Sequence, residues 1–261
     1  MRRVNIRAIL AVTFIAAALI SAVLAIAWLV LRAAGDVWRS PALLPQQWGT
    51  RGLHVALDNG LVDATRGSLI IAIVVASLGC ALLVPAAAVI DSLGPRLRLV
   101  AITLILLPIV LPGSLVGLGI ATFSARVGFE DSILAVVIAH LPFVLAWQAV
   151  ALLGAWDRSL RARIDAAASN GIHPLLTFWL VTLPGVRRAA LLALAIGFLV
   201  SWAQYATSLL VGGGGIDVLP VRLVPFVSSD PQVAATFAIV FAAVPAAIGL
   251  LVLLAHGRVR T

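Results

Sequence analysis

The chain has 261 residues, 62% of them hydrophobic and 11% charged, with a mean hydropathy of +1.15. That composition excludes a soluble globular domain and allows about six membrane spans of about 20 residues joined by short connections. The formal charge of +8 comes from 18 basic residues, all arginine, against 10 acids, and Cys80 is alone, so neither a disulfide framework nor a cysteine metal cluster can be built.

Residues 8–31 form an unbroken apolar run behind Arg2, Arg3 and Arg7. A charged start of this kind imitates a signal peptide, but the run exceeds the roughly 7–15 apolar residues of such a leader, which predicts a retained first span. Residues 32–67 follow as the longest outside segment. Trp38 and Trp48, with Pro41 and Pro45, suit anchors at the headgroup level. Leu53, Leu57 and Leu61 recur every four residues and predict a short helix lying in the interface. Two readings of this segment stay open: a simple anchor, or a gate or docking surface for a solute receptor.

Five further spans are predicted at 68–90, 99–123, 133–153, 189–211 and 233–255. Pro85, Pro108, Pro112, Pro142 and Pro245 fall inside them, where neighbouring helices can re-satisfy the backbone. Gly113 and Gly117 make a GxxxG pair of the kind that lets helices approach closely. Residues 1–67 and 68–261 thus divide into a first span with its outside loop and a five-helix core, all of it α-helical.

Six spans place both termini on one side. That side then receives twelve arginines (2, 3, 7, 96, 98, 158, 161, 163, 187, 188, 258 and 260) and the other receives six (32, 39, 51, 66, 126 and 222). By the excess of arginine the first side is cytoplasmic. The basic charge is therefore a topology signal, and nucleic acid is not an expected partner.

The longest polar break on the cytoplasmic side is residues 157–188, inside a loop spanning 154–188. Residues 160–169 are rich in Ala, Leu and Arg and predict a short exposed helix. Asn170-Gly171 stops it, since Gly adopts the left-handed cap without steric cost. Pro174 suits the first turn of a second helix, which Leu183-Pro184-Gly185 is expected to end. Within this break, Asp165-Ala166-Ala167 is followed by three residues, Gly171, nine residues and Val181-Thr182-Leu183-Pro184. The pattern resembles the EAA loop of type I permease subunits of binding-protein-dependent ABC importers, where Glu and Ile occupy the positions of Asp165 and Val181. The shorter carboxylate of Asp165 puts in doubt only how that contact with a partner is made.

The resemblance implies a type I importer permease fold with a cytoplasmic coupling helix. Arg163, Asp165, Ala166, Ala167, Gly171, Leu183 and Pro184 would contact an ATPase. It also implies two ABC ATPase subunits, a second permease subunit that is a copy or a paralogue, and an extracytoplasmic solute-binding protein. The setting would be the cytoplasmic membrane of a bacterium or archaeon, in contact with lipid. Residues 38–45 and 201–205, with the glycines 212–215 and Leu219-Pro220, are more loosely similar to the branch handling thiamine, ferric iron, polyamines and phosphonates. No GxxxxGK[ST] sequence occurs, so ATP and magnesium are expected in the partner and no cofactor in this chain. The glycines 212–215 lack the Lys and Ser/Thr of a phosphate loop and read as an exit from the fifth span.

Ser201, Gln204, Tyr205 and Ser208 follow i, i+3, i+4, i+7 and are expected to share one face of the fifth span. A polar stripe at that depth lines a water-filled path or bonds to a neighbouring helix. His140 and Gln148 in the fourth span are the other polar candidates for the path. With no acid or arginine predicted mid-span and no inverted repeat, a secondary transporter or channel without an ATPase is the weaker alternative. A non-transporting scaffold leaves the stripe and the loop pattern unexplained.

Overall fold

The structure is a computed structural model that describes residues 6–39 and 41–257. Arg2, Arg3, Arg258, Arg260, both termini and Ser40 lie outside the described residues. The chain is an all-α integral membrane protein. Among the described residues five helices are long and apolar enough to cross a membrane, or six if one bent pair counts as a single span.

The packing divides the chain into two units. The first takes the chain up to Val62 and from Arg222 onward. It contains α1 (Ile6–Ala34), two short antiparallel strands, β1 (Gly35–Val37) and β2 (Gln47–Trp48), α2 (Arg51–Asp58) and α12 (Pro231–Gly257). The strands are not predicted by the sequence; they form because the chain doubles back at Pro41–Pro45. Trp38 packs its ring 5.1 Å from that of Trp28, and the Arg32 guanidinium lies 5.6 Å from the Trp38 ring centroid. Leu53 and Leu57 do share α2 and are exposed, but Leu61 is buried and opens the next helix, because Gly60 takes φ +83° and turns the chain. A polar knot ties this unit together: Arg51 meets Asp230 at 2.7 Å and donates to Gln232 at 3.1 Å, while Gln232 donates to Asp36 at 2.7 Å.

The second unit, Asp63–Val221, carries the candidate sites. It holds most of α3 (Leu61–Ser92), then α4 (Pro95–Leu106), α5 (Gly113–Val127), α6 (Ile133–Leu152), α7 (Arg158–Ser169), α8 (Pro174–Thr177), α9 (Leu183–Trp202) and α10 (Ala206–Val211); α11 (Leu219–Ser229) begins at its end. The axis is α6. Its start is capped by the Ser132 hydroxyl, which accepts from the Ala135 N–H, and it buries residues on all faces against α3, α5, α9 and α10. Gly117 serves close approach, since a Cβ there would lie 3.2 Å from the Thr207 Cα on α10; Gly113 has more room.

Three expected helices differ in the structure. The predicted span 99–123 is broken: a 3₁₀ turn at Leu107–Ile109 follows α4, and α5 leaves at 95°. Pro108 and Pro112 each remove an N–H, and here no neighbour continues the helix past them. Leu183-Pro184-Gly185 does not end a helix. A π-turn at Phe178–Thr182 leads straight into α9, with Pro184 in its first turn, so residues 174–202 run on as one 29-residue apolar helix containing Arg187 and Arg188. Wide turns of this kind re-register a helix where a regular bond is missing, which is the position Pro184 creates. The predicted span 189–211 stops instead at Trp202, turns over Ala203–Tyr205 and resumes as α10.

Candidate functional site

At one end of the second unit, α7 and α8 form an elbow. Asp157 opens α7 as its cap, the carboxylate accepting the Leu160 N–H at 2.7 Å. Four carbonyls near the end of α7 are used: Ser169 and Asn170 side chains donate to those of Asp165 and Ala166, and the N–H groups of Gly171 and Ile172 to those of Ala168 and Ala167. Gly171 takes φ +72°, and α8 starts on Pro174 with His173 as its cap. The predicted helix, glycine turn and proline start are all present.

The loop residues fall into distinct positions. Ala167 is buried on the inner face of α7, whereas Asp165, Ala166 and Gly171 are exposed, and a Cβ on Gly171 would have no neighbour within 4 Å. Arg163, Ala166 and Pro184 come together around a hollow of about 720 Å³, with Arg187 and Arg188 on its rim. Asp165 faces a second hollow of about 590 Å³ on the other side of the elbow, lined also by Asp91, Arg98, Arg161 and Thr177. Leu183 is half-buried in the π-turn junction. The root of α7 is held by Leu160, buried in a notch that Gly185 leaves open; a Cβ on Gly185 would come 2.5 Å from the Leu160 Cδ1.

Sequence reasoning did not single out Asp91, at the end of α3. It accepts two hydrogen bonds from Arg161, at 2.6 and 2.8 Å, and lies 3.3 Å from Arg98. The hydrogen bond to Asp91, with the attraction of that carboxylate, raises the Arg161 pKa further. The available signal was an acid standing between an apolar run and the arginine pair Arg96 and Arg98.

The second cluster lies within the helices. His140 on α6 is buried and bonds through Nδ1 to Ser201 Oγ and through Nε2 to Ser208 Oγ, both at 2.9 Å. Ser208 donates its own proton to the Gln204 carbonyl at 2.6 Å. Its oxygen must therefore accept from His140, which assigns the imidazole proton to Nε2 and makes Nδ1 the acceptor of the Ser201 hydroxyl. The expected single face over 201–208 does not exist, because the helix is broken at Ala203–Tyr205. His140 instead reaches both limbs of the break, Ser201 at the end of α9 and Ser208 in α10.

Gln204 stands in the break and accepts from the Thr207 hydroxyl at 3.0 Å, and Tyr205 lies beside it, half-buried. Ser68, His140, Ser201, Gln204 and Ser208 surround a void too narrow for a water molecule. Gln148 is elsewhere: its amide donates to the Ala76 carbonyl at 2.9 Å and lies between Gly79 and Gly197, whose missing side chains make its room. Its Oε1 has no hydrogen-bond partner. Among the described residues no three His, Cys, Asp or Glu side chains converge as metal ligands would.

No protein-family model matches the chain. It is similar to the inner membrane ABC transporter permease protein YnjC of Escherichia coli (strain K12), with 34% identity over 118 residues. The matched stretch is 45% of this chain and 23% of that protein, so the chain spans about a quarter of the length of the curated relative.

Proposed function

We propose that this chain is the membrane-spanning subunit of an ATP-driven ABC importer, forming half of a path for a small polar solute and coupled to a separate ATPase through the elbow of α7 and α8. The observation that carries the reading is the build of that elbow. The residues of the EAA-like pattern separate into an exposed set, Asp165, Ala166 and Gly171, and a buried one, Ala167. A small outward alanine permits close approach of another surface, and the helix beyond the turn runs without a stop into α9. A push on the elbow is thereby delivered along a stiff rod to Ser201 and the break.

In this reading the elbow is cytoplasmic, as the excess of arginine on its side of the chain favours, and an ATPase subunit receives α7. A second permease subunit completes the path, and an extracytoplasmic receptor delivers the solute. His140, bonding both limbs of the broken helix, holds the path shut in the state described. Similarity to YnjC supports the permease assignment; importer direction and the partners rest on the elbow.

The test is affinity purification of the full chain from its native membrane in mild detergent. An ABC ATPase should co-purify, and Ala166→Trp, which fills the outward face of α7, should abolish its recovery while the chain remains in the membrane. If the chain purifies alone and moves solute in reconstituted vesicles without ATP, it is a secondary transporter or channel and the proposal is overturned.

A further inference from the structure

The backbone of α7 packs on α8 and the π-turn, and so on the segment that continues into α9. Toward α3 and α4 it faces the hollow of about 590 Å³. Leu160 does join the apolar cluster that includes Cys80, Leu83, Val84 and Ala87 of α3, but such contacts slide. Among the described residues one directional connection crosses the hollow, the two-pronged bond of Arg161 to Asp91. The Asp91 side chain is only 12% exposed, and it also meets Arg98 of α4. One carboxylate therefore joins the end of α3, the start of α4 and the first turn of α7.

Movement of α7 reaches α9 through the covalent chain. Within the membrane α3 is tied to α6 by the Gln148–Ala76 bond and to α9 by the weaker contact of the Cys80 thiol with the Ala190 carbonyl at 3.6 Å, but neither holds the end of α3 that lies beside α7. A planar guanidinium holding a carboxylate with two parallel bonds fixes both distance and direction. We infer, on the reading of α7 as the ATPase-facing lever, that Asp91 is a positioning residue for coupling: with Arg161 it forms a strut that makes α3 and α4 follow α7. The Arg161 side chain is 42% exposed, so the pair is partly screened by solvent and adds only modestly to stability, and this separates a transmitting role from a merely structural one.

The experiment uses the full chain with the ATPase that co-purifies with it, in nanodiscs for distances and hydrolysis and in sealed proteoliposomes for uptake, comparing wild type with Asp91→Asn, Asp91→Glu and Arg161→Gln. Spin labels at Ser92→Cys and Ser169→Cys, in a Cys80→Ser background, report the distance between the ends of α3 and α7 before and after trapping with ATP and vanadate. The wild type should keep one narrow distance in both states. Asp91→Asn and Arg161→Gln should retain the ATPase and the melting temperature, broaden the distance on trapping, and lower ATP-driven uptake per ATP hydrolysed by about two- to thirtyfold. Asp91→Glu, which keeps the carboxylate, should restore most of both. Unchanged distances and uptake in both variants would overturn the strut, and so would loss of the ATPase together with a lowered melting temperature, which marks a structural role. A wild-type chain that recruits no ATPase would instead remove the reading on which the strut depends.

Discussion

Gly171 offers a perturbation whose cost can be worked from the structure. Its φ of +72° lies in the left-handed region, and nothing stands within 4 Å of the position a Cβ would occupy. Within the chain alone, a substitution therefore meets no clash and carries only the backbone penalty, about 1–2 kcal/mol for an L-residue with a Cβ. That corresponds to roughly a five- to thirtyfold loss of the native turn relative to competing turns. Asn tolerates the left-handed conformation through its short polar side chain and should lose much less. Gly171→Leu adds, beyond that Cβ, a bulky side chain that a docked partner would feel. The assay is a titration of the purified chain in nanodiscs with the co-purifying ATPase. Gly171→Asn should bind within severalfold of wild type. Gly171→Leu should bind at least as weakly as the turn penalty requires and more weakly still where the partner covers the glycine. Insertion and melting temperature should hold in both. Wild-type affinity in Gly171→Leu would refute the assignment of this turn as the docking surface.

His140→Leu leaves the Ser201 hydroxyl without its imidazole acceptor and Ser208 without its donor. It should destabilise the second unit by about 1–3 kcal/mol and lower the melting temperature in detergent, whereas Ser201→Ala alone should cost less. Gly197→Ala drives a methyl into the Gln148 amide and should lower the melting temperature, and adding Gln148→Ala should recover part of the loss, a coupling read by a double-mutant cycle. At Asp230, partial burial is the largest single effect and opposes ionisation, but hydrogen bonds from Arg51 and from the N–H groups of Val233 and Gln232, with the charge of Arg51, bring the pKa below the usual carboxylate value. The stabilisation is present above the unfolded-state value and is lost as pH falls through the folded one. Unfolding followed from neutral pH into the acid range should show a loss of about 0–1 kcal/mol in wild type that is absent in Asp230→Asn. For topology, Ser169→Cys in a Cys80→Ser background should resist an impermeant thiol reagent in intact cells and react after the membrane is opened.

How much was legible in the sequence varies from element to element, and the boundary follows the range of the forces involved. The α7 helix, its end at Asn170-Gly171 and the start of α8 at Pro174 are local matters of φ preference, caps and a missing N–H, and neighbouring residues decide them. The long apolar runs are equally local, because lipid rewards each residue for itself. The periodicity of Ser201, Gln204 and Ser208 also presupposed a local rule, an unbroken helix. It failed because Ser201 and Ser208 are held by His140, 61 and 68 residues earlier in the chain, while Thr207 of α10 donates to Gln204 within the break. The same holds for Pro184, a stop signal by itself that becomes the first turn of α9 once Leu160 packs against Gly185 and the π-turn takes up the register. Asp91 shows the limit most plainly. Its charge was in view, but the guanidinium it grips is 70 residues away, and only the folding of α7 back over the end of α3 brings the two within 3 Å.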